Sequence, residues 1–272
     1  HCSALGARTK LISVVGDDAM ADWVSSKSSD YGVESMLLRD ITRPTTVKQR
    51  YKSGKQTLFR LSHFKQQALD KEIRIRIMQG IEEDLKTSDL LILSDFSYGV
   101  LDSELAQYVI EKAHIAGVQI SADSQSSSQV GNLGKFIGVN HIFATEREAR
   151  LQLRNELDGL AVLTEQLRKE LQAQNVFLKI GADGVILEGI ESSSDSILNT
   201  ERIPALNSYP VDISGAGDSM LASSSLAFSA GGTLFESAAL GSIVAAIQVG
   251  RQGNLPVILD EIRSLLESSD LN

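Results

Sequence analysis

The residues best suited to chemistry lie together in Asp212-Ile213-Ser214-Gly215-Ala216-Gly217-Asp218-Ser219. Two glycines flank one alanine and a carboxylate follows at once. Small and apolar residues then run on at helical spacing through Met220, Leu221, Ala222, Leu226, Ala227 and Ala230. A glycine-rich turn that opens a helix presents unpaired backbone N–H groups at the positive end of the helix dipole, which suits an anion. Asp218, inside the same turn, would repel that anion, so it reads as a base beside a phosphate. The combination points to phosphoryl transfer to a hydroxyl. Taken bare, the signal is weak, because glycines at helix starts often only permit a tight bend.

The elements that must position this turn follow from periodicity. Short, continuously apolar runs read as strands at Lys10–Val15, Val33–Leu38, Leu90–Leu93, Val118–Ala122, Ile142–Ala144, Val176–Ile180 and Val185–Leu187. Helical spacing is carried by 19–29, by Ile73, Ile77, Ile81 and Leu85, and by 102–116, 146–154 and 160–174. The C-terminal third reads as helices over 216–230, 233–249 and 256–267. Gly181-Ala182-Asp183-Gly184 between two strands is a hairpin signal. Thr45–Ser53 and Lys55–Leu61 alternate with polar residues on both faces and read as an exposed two-stranded ribbon. Alternating strands and helices with continuous apolar strands predict an α/β fold, a parallel sheet covered on both faces. Ligands then sit beyond the carboxyl ends of the strands. Asp95, Asp123 and Thr145 each follow a predicted strand, so they should share one rim with the glycine turn.

The chain has 272 residues, 42% hydrophobic and 22% charged, with no composition shift to mark a boundary, so 1–272 reads as one domain. A net charge of −9 argues against nucleic acid or an anionic membrane as the main partner. Cys2 is the sole cysteine, which excludes an intrachain disulfide, and the four histidines are scattered. No apolar run approaches the roughly 20 residues that span a bilayer, and no signal peptide is evident. The expectation is a cytoplasmic protein. The chain begins without methionine, and Ala4-Leu5-Gly6 reads as the last turn of a helix closed by a glycine, so further residues are expected upstream.

The stretch 212–219 strongly resembles the second signature of the PfkB/ribokinase family of carbohydrate kinases. Ser3-Ala-Leu-Gly-Ala7 with Val14-Val-Gly-Asp-Asp18 is similar to the end of the first signature. Arg43-Pro-Thr-Thr-Val-Lys-Gln-Arg50 with Gln56-Thr-Leu-Phe-Arg60 resembles the lid and substrate segment of the heptose 7-phosphate kinase branch, as does Leu93-Ser-Asp-Phe-Ser-Tyr-Gly-Val-Leu101. Leu178-Lys-Ile-Gly-Ala-Asp-Gly184 occupies the place of the nucleotide-side turn, and 245–253 that of the helix and loop beside the adenine. The resemblance implies a three-layer α/β/α ribokinase-like fold with a mostly parallel central sheet and a small β lid, about 43–61.

It implies Asp218 as general base, with the N–H groups of Gly215, Ala216 and Gly217 holding the transferring phosphoryl. Lys179, Gly181 and Gly184 would line the nucleotide, Ser242 and Ala245 would flank its base, and Glu148 would meet magnesium through water and the phosphates. Arg43, Lys48, Arg50 and Arg60 are candidates for an anionic substrate group, with Asp17 and Asp95 on the sugar side; Asp17-Asp18 also reads as a plain turn after a strand. ATP and Mg2+ are the implied cofactors, with K+ a further candidate, and the implied partners are a sugar or sugar phosphate and a second copy joined through the lid. Three departures stand out: Asp123-Ser124-Gln125 where the family has Asp-Pro-Lys, Thr145 for the Asn of Asn-x-x-Glu, and Ala144 for the proline before it. They leave two alternatives: a catalytically impaired nucleotide-binding or regulatory protein, and a nucleoside or vitamin kinase of the same fold.

Overall fold

The computed structural model describes residues 1–53, 56–125, 131–190 and 200–269. Parallel strands need a crossover, and the chain supplies helices for it. β1 (Thr9–Val15), α1 (Ala19–Asp30) and β2 (Val33–Arg39) form one such unit. The ribbon β3 (Val47–Ser53) and β4 (Gln56–His63) follows, with a bulge at Tyr51/Lys52. After α2 (Lys71–Leu85) come β5 (Leu90–Asp95), α3 (Ser103–Ala116), β6 (Gln119–Ser124), β7 (His141–Thr145), α4 (Glu146–Leu153), α5 (Leu160–Glu170) and β8 (Asn175–Lys179). β9 (Val185–Gly189), β10 (Thr200–Ile203), α6 (Ala216–Ser229), α7 (Leu234–Val249) and α8 (Leu259–Ser269) complete the chain.

The main sheet has six strands in the order β10-β9-β8-β7-β6-β5. β5 to β8 run parallel, and β9 and β10 are antiparallel additions. One face carries α3 and α5, the other α6 and α7, giving the three layers. A core cluster lies under each: Leu105, Val109, Ile120, Ile142, Leu163 and Leu167 on the first side, and Phe143, Phe177, Leu187, Leu221 and Phe228 on the second. The continuous apolar reading of the strands reflects this double coverage.

Two features differ from the sequence reading. β1 and β2 form their own two-stranded sheet, under α2, instead of joining the main one. β10 went unread because Thr-Glu-Arg-Ile is a short polar edge with little periodicity. The hairpin at 181–184 is present, and it depends on Gly184. That residue has φ 99° and ψ −131°, where only glycine sits comfortably, and a Cβ there would lie 2.0 Å from the Ile203 carbonyl oxygen.

Candidate active site

α6 returns beneath the sheet so that its first turn reaches the carboxyl ends of the parallel strands. Gly215 is its N-cap, with φ 81°, a left-handed conformation that glycine adopts without cost. Among the described residues no side chain caps this helix; Ala216 N donates to the Ile213 carbonyl at 3.4 Å, and a helix start of this kind suits an anion. The turn is braced from behind. Ser214 N donates to Asp212 Oδ1 at 3.1 Å and Gly253 N to Asp212 Oδ2 at 3.3 Å. Gln248 Nε2 donates to the carbonyls of Ser214 (3.3 Å) and Gly253 (2.8 Å). Asn254 fills the space a Cβ on Gly215 would need, its Oδ1 only 2.2 Å from that point.

A charged cluster stands in front of the turn. Gln125 Nε2 donates to Asp218 Oδ1 at 2.5 Å. Lys179 Nζ donates to Asp123 Oδ2 at 2.5 Å, and both side chains are buried, 14% and 1% exposed. Burial pushes the Asp123 carboxyl up to about 6; Lys179 opposes the rise, and the negative charges of Glu148 and Asp218 add to it. Burial works against the Lys179 ammonium, but Asp123, Glu148 and Asp218 outweigh it and hold its pKa above the usual lysine value. The two shifts differ in origin: burial leads at Asp123, and the surrounding carboxylates prevail at Lys179. Glu148 closes a capping box, its Oε2 accepting from Thr145 N at 2.7 Å at the start of α4.

The ribbon β3–β4 covers this rim. Lys52 Nζ donates to Asp212 Oδ2 at 2.5 Å. Burial opposes ionisation of Asp212, but Lys52 and the Ser214 and Gly253 donors hold its carboxyl well below the usual range. Lys48 Nζ lies 4.5 Å from the centre of the Phe96 ring and 5.0 Å from that of Tyr98, within cation–π range. Alternation places Arg50 on the same face, directly opposite Arg60 in the register, and both are exposed.

The family model for pfkB family carbohydrate kinases matches residues 2–258. The chain belongs to the pfkB family of carbohydrate kinases. It is 29% identical over 263 residues to the Bifunctional protein HldE of Nitratiruptor sp., covering 95% of this chain and 53% of that protein. Its identity to the HldE of Helicobacter hepaticus is 27% over 273 residues, with coverage of 99% and 54%. The chain spans about half the length of the curated relatives it matches. In structure it resembles phosphofructokinase-2 from Escherichia coli in complex with potassium (TM-score 0.80, 15% identity, 99% of this chain and 84% of that one). It also resembles ribokinase from Giardia lamblia (TM-score 0.77, 15% identity, 97% and 86%). The ribokinase-like fold expected from the signatures is the one found.

In this pfkB chain the structure gathers Gly215, Ala216, Gly217, Asp218, Lys179 and Glu148 at one rim. Gly181 and Gly184 form the turn directly after Lys179. On α7, Ser242 is buried and Ala245 packs against the cluster of Phe143 and Phe177. Three of the expected substrate residues are engaged by other groups of the protein. Arg43 lies outside the ribbon and is buried, its Nε on Asp40 at 2.7 Å and its Nη2 on the carbonyls of Gln67 and Ala68. Asp17 turns outward to Arg39 Nη1 at 2.9 Å; its neighbour Asp18 points inward, capping α1 and accepting from Thr45 N at 2.8 Å. Asp95 is 4% exposed and accepts from Lys135 Nζ, Ser97 and Ser124; it shapes the loop that carries Phe96 and Tyr98. The sequence reading missed Lys52, Gln248 and Asn254. Lys52 alone had a signal, two residues along the strand from Arg50.

The buried Asp123 carboxyl has a measurable consequence. Its pKa rises from 3.8 to about 6 on folding, so between those values the folded chain holds more protons than the unfolded one. Stability from this group therefore falls as pH rises through that window and is level above it. In urea denaturation from pH 4 to 7, the Asp123→Asn variant should gain on the wild type between pH 4 and 6; a constant difference would refute the shift.

Proposed function

We propose that this chain is an ATP-dependent kinase that phosphorylates a hydroxyl of a sugar phosphate, of the heptose 7-phosphate type. The observation that carries the reading is the uncapped glycine turn with Asp218 in its first helical turn, held by Gln125. In the reaction the acceptor oxygen attacks the γ-phosphorus of ATP and the bond from that phosphorus to the β–γ bridging oxygen breaks. ADP leaves, and the hydroxyl proton passes to Asp218. A carboxylate is a weak base at neutral pH, but it serves when it lies within hydrogen-bond reach and the proton moves late. The N–H groups of Gly215, Ala216 and Gly217 stabilise the charge on the phosphoryl oxygens. Gly181, Gly184, Ser242 and Ala245 border the nucleotide.

Family members use ATP, generally with Mg2+. Among the described residues no group of three or more His, Cys, Asp or Glu side chains could cage a metal ion. That fits magnesium, which keeps its waters and is held mainly by nucleotide phosphates with one or two carboxylates. Glu148 is the carboxylate for that contact, through water, and the ion supplies charge neutralisation on the phosphates. Potassium, present in the phosphofructokinase-2 structure named above, is the further candidate cofactor.

The ribbon supports the phosphorylated substrate. Like charges facing each other across strands repel, and an anion between Arg50 and Arg60 removes that cost. The ribbon's other face supports a homodimer: Tyr51 and Phe59 stack with ring centres 4.2 Å apart, and with Leu61 they are 42%, 55% and 41% exposed. No helix among the described residues is long and apolar enough to cross a membrane.

With a panel of sugars and sugar phosphates, Asp218→Asn should keep ATP binding and lose on the order of 10²–10⁴ in kcat. A wild type that binds ATP and phosphorylates nothing would favour the nucleotide-binding alternative. Arg50→Ala and Arg60→Ala should raise KM for a sugar phosphate roughly tenfold, about 1.4 kcal/mol, and leave that for an unphosphorylated sugar alone; equal effects on both would argue against the anion role. Phe59→Lys should shift the sedimentation of the chain from dimer to monomer, and an unchanged dimer would place the interface elsewhere.

A further inference from the structure

We infer that Lys179 is a catalytic cation of the transfer step, its ammonium lying against the terminal phosphoryl group of the nucleotide on the glycine turn. This rests on the kinase reading above and adds the group that the turn lacks. Three observations converge. The Lys179 Nζ lies 3.4 Å from the point where a Cβ on Gly217 would stand, so the missing side chain leaves the ammonium an open approach to the backbone that receives the anion. The ammonium is held in place by Asp123 at 2.5 Å on an almost fully buried carboxylate, at the paired ends of neighbouring strands, Lys179 opposite Thr145. Asp218 and Glu148 both act to keep it charged.

The electrostatic need is plain. Asp123, Glu148 and Asp218 all act on this lysine, and a triphosphate adds more negative charge at the same rim. Backbone N–H groups carry only partial charge, so a full positive charge aimed at the same oxygens does what they cannot do alone. Gln125, the neighbour of Asp218, is neutral and cannot supply it. Lys179 carries it on a strand end, a rigid support, and as a desolvated ammonium it acts with little screening. No proton moves through Lys179: it remains an ammonium before and after transfer, while the proton goes to Asp218.

The test compares ATP with ADP, which differ only in the group that Lys179 is held to contact. Calorimetric titration of the full chain with each nucleotide would be run for wild type and Lys179→Met. Because Lys179→Met leaves Asp123 buried without its partner, Lys179→Met with Asp123→Asn is run beside it and removes both charges of the buried pair. The expected result is a loss of ATP affinity at least tenfold greater than the loss of ADP affinity. Equal losses, or no loss, would overturn the inference. Asp218→Asn in the same titrations should not lower the ratio of ATP to ADP affinity, so a failure of the base assignment shows in turnover and a failure of the lysine assignment shows in binding.

Discussion

Lys179 and Asp123 are both buried, and burial alone would drive each toward its neutral form. They stay charged through each other, at 2.5 Å, and this pair fixes the electrical state of everything around it. Asp218 and Glu148 lie within its reach, and without the ammonium the three carboxylates would repel one another and any phosphate. The pair sits where β6 and β8 end on the same side of the parallel sheet. The direction of the strands, set by the crossovers α3, α4 and α5, therefore determines that these charges meet. The turn of α6 completes the site from the other layer, which is why its glycines matter in place rather than merely in type.

The ribbon carries two chemistries on its two faces. Its inner face bears Lys48, Arg50, Lys52 and Arg60; its outer face bears Tyr51, Phe59 and Leu61. A strand pair covered on one side only would show simple alternation of apolar and polar residues. Here neither face packs on a core, so one face is basic and the other is apolar and exposed. The same fact accounts for the partly polar alternation in the sequence.

Most elements were legible because helical and strand periods differ and the strands are apolar throughout. The helices that Asp18, Asp102 and Thr233 cap start within one residue of the expected positions. What was illegible depends on which way one side chain turns. Asp17 and Asp18 are adjacent and chemically alike, yet one faces Arg39 and the other Thr45. Arg43 carries the same charge as Arg50, but Asp40, three residues earlier, captures it. Asp95 sits at a strand end as expected, but Lys135, forty residues on, neutralises it. In each case a partner distant in sequence or a single bond rotation decides the role, and composition cannot report either. Gln125 was visible as a departure at its position, but not as the donor to Asp218.

The ion pair between Lys52 and Asp212 joins the two halves of the site. Asp212 is the residue that accepts from Ser214 and Gly253 and so holds the glycine turn against the loop behind it. Lys52 belongs to the ribbon that covers the acceptor side. Raising the ribbon removes a cation from a carboxylate that is only 8% exposed, and a buried charge left unpaired is costly. The ribbon and the glycine turn are therefore joined through one carboxylate.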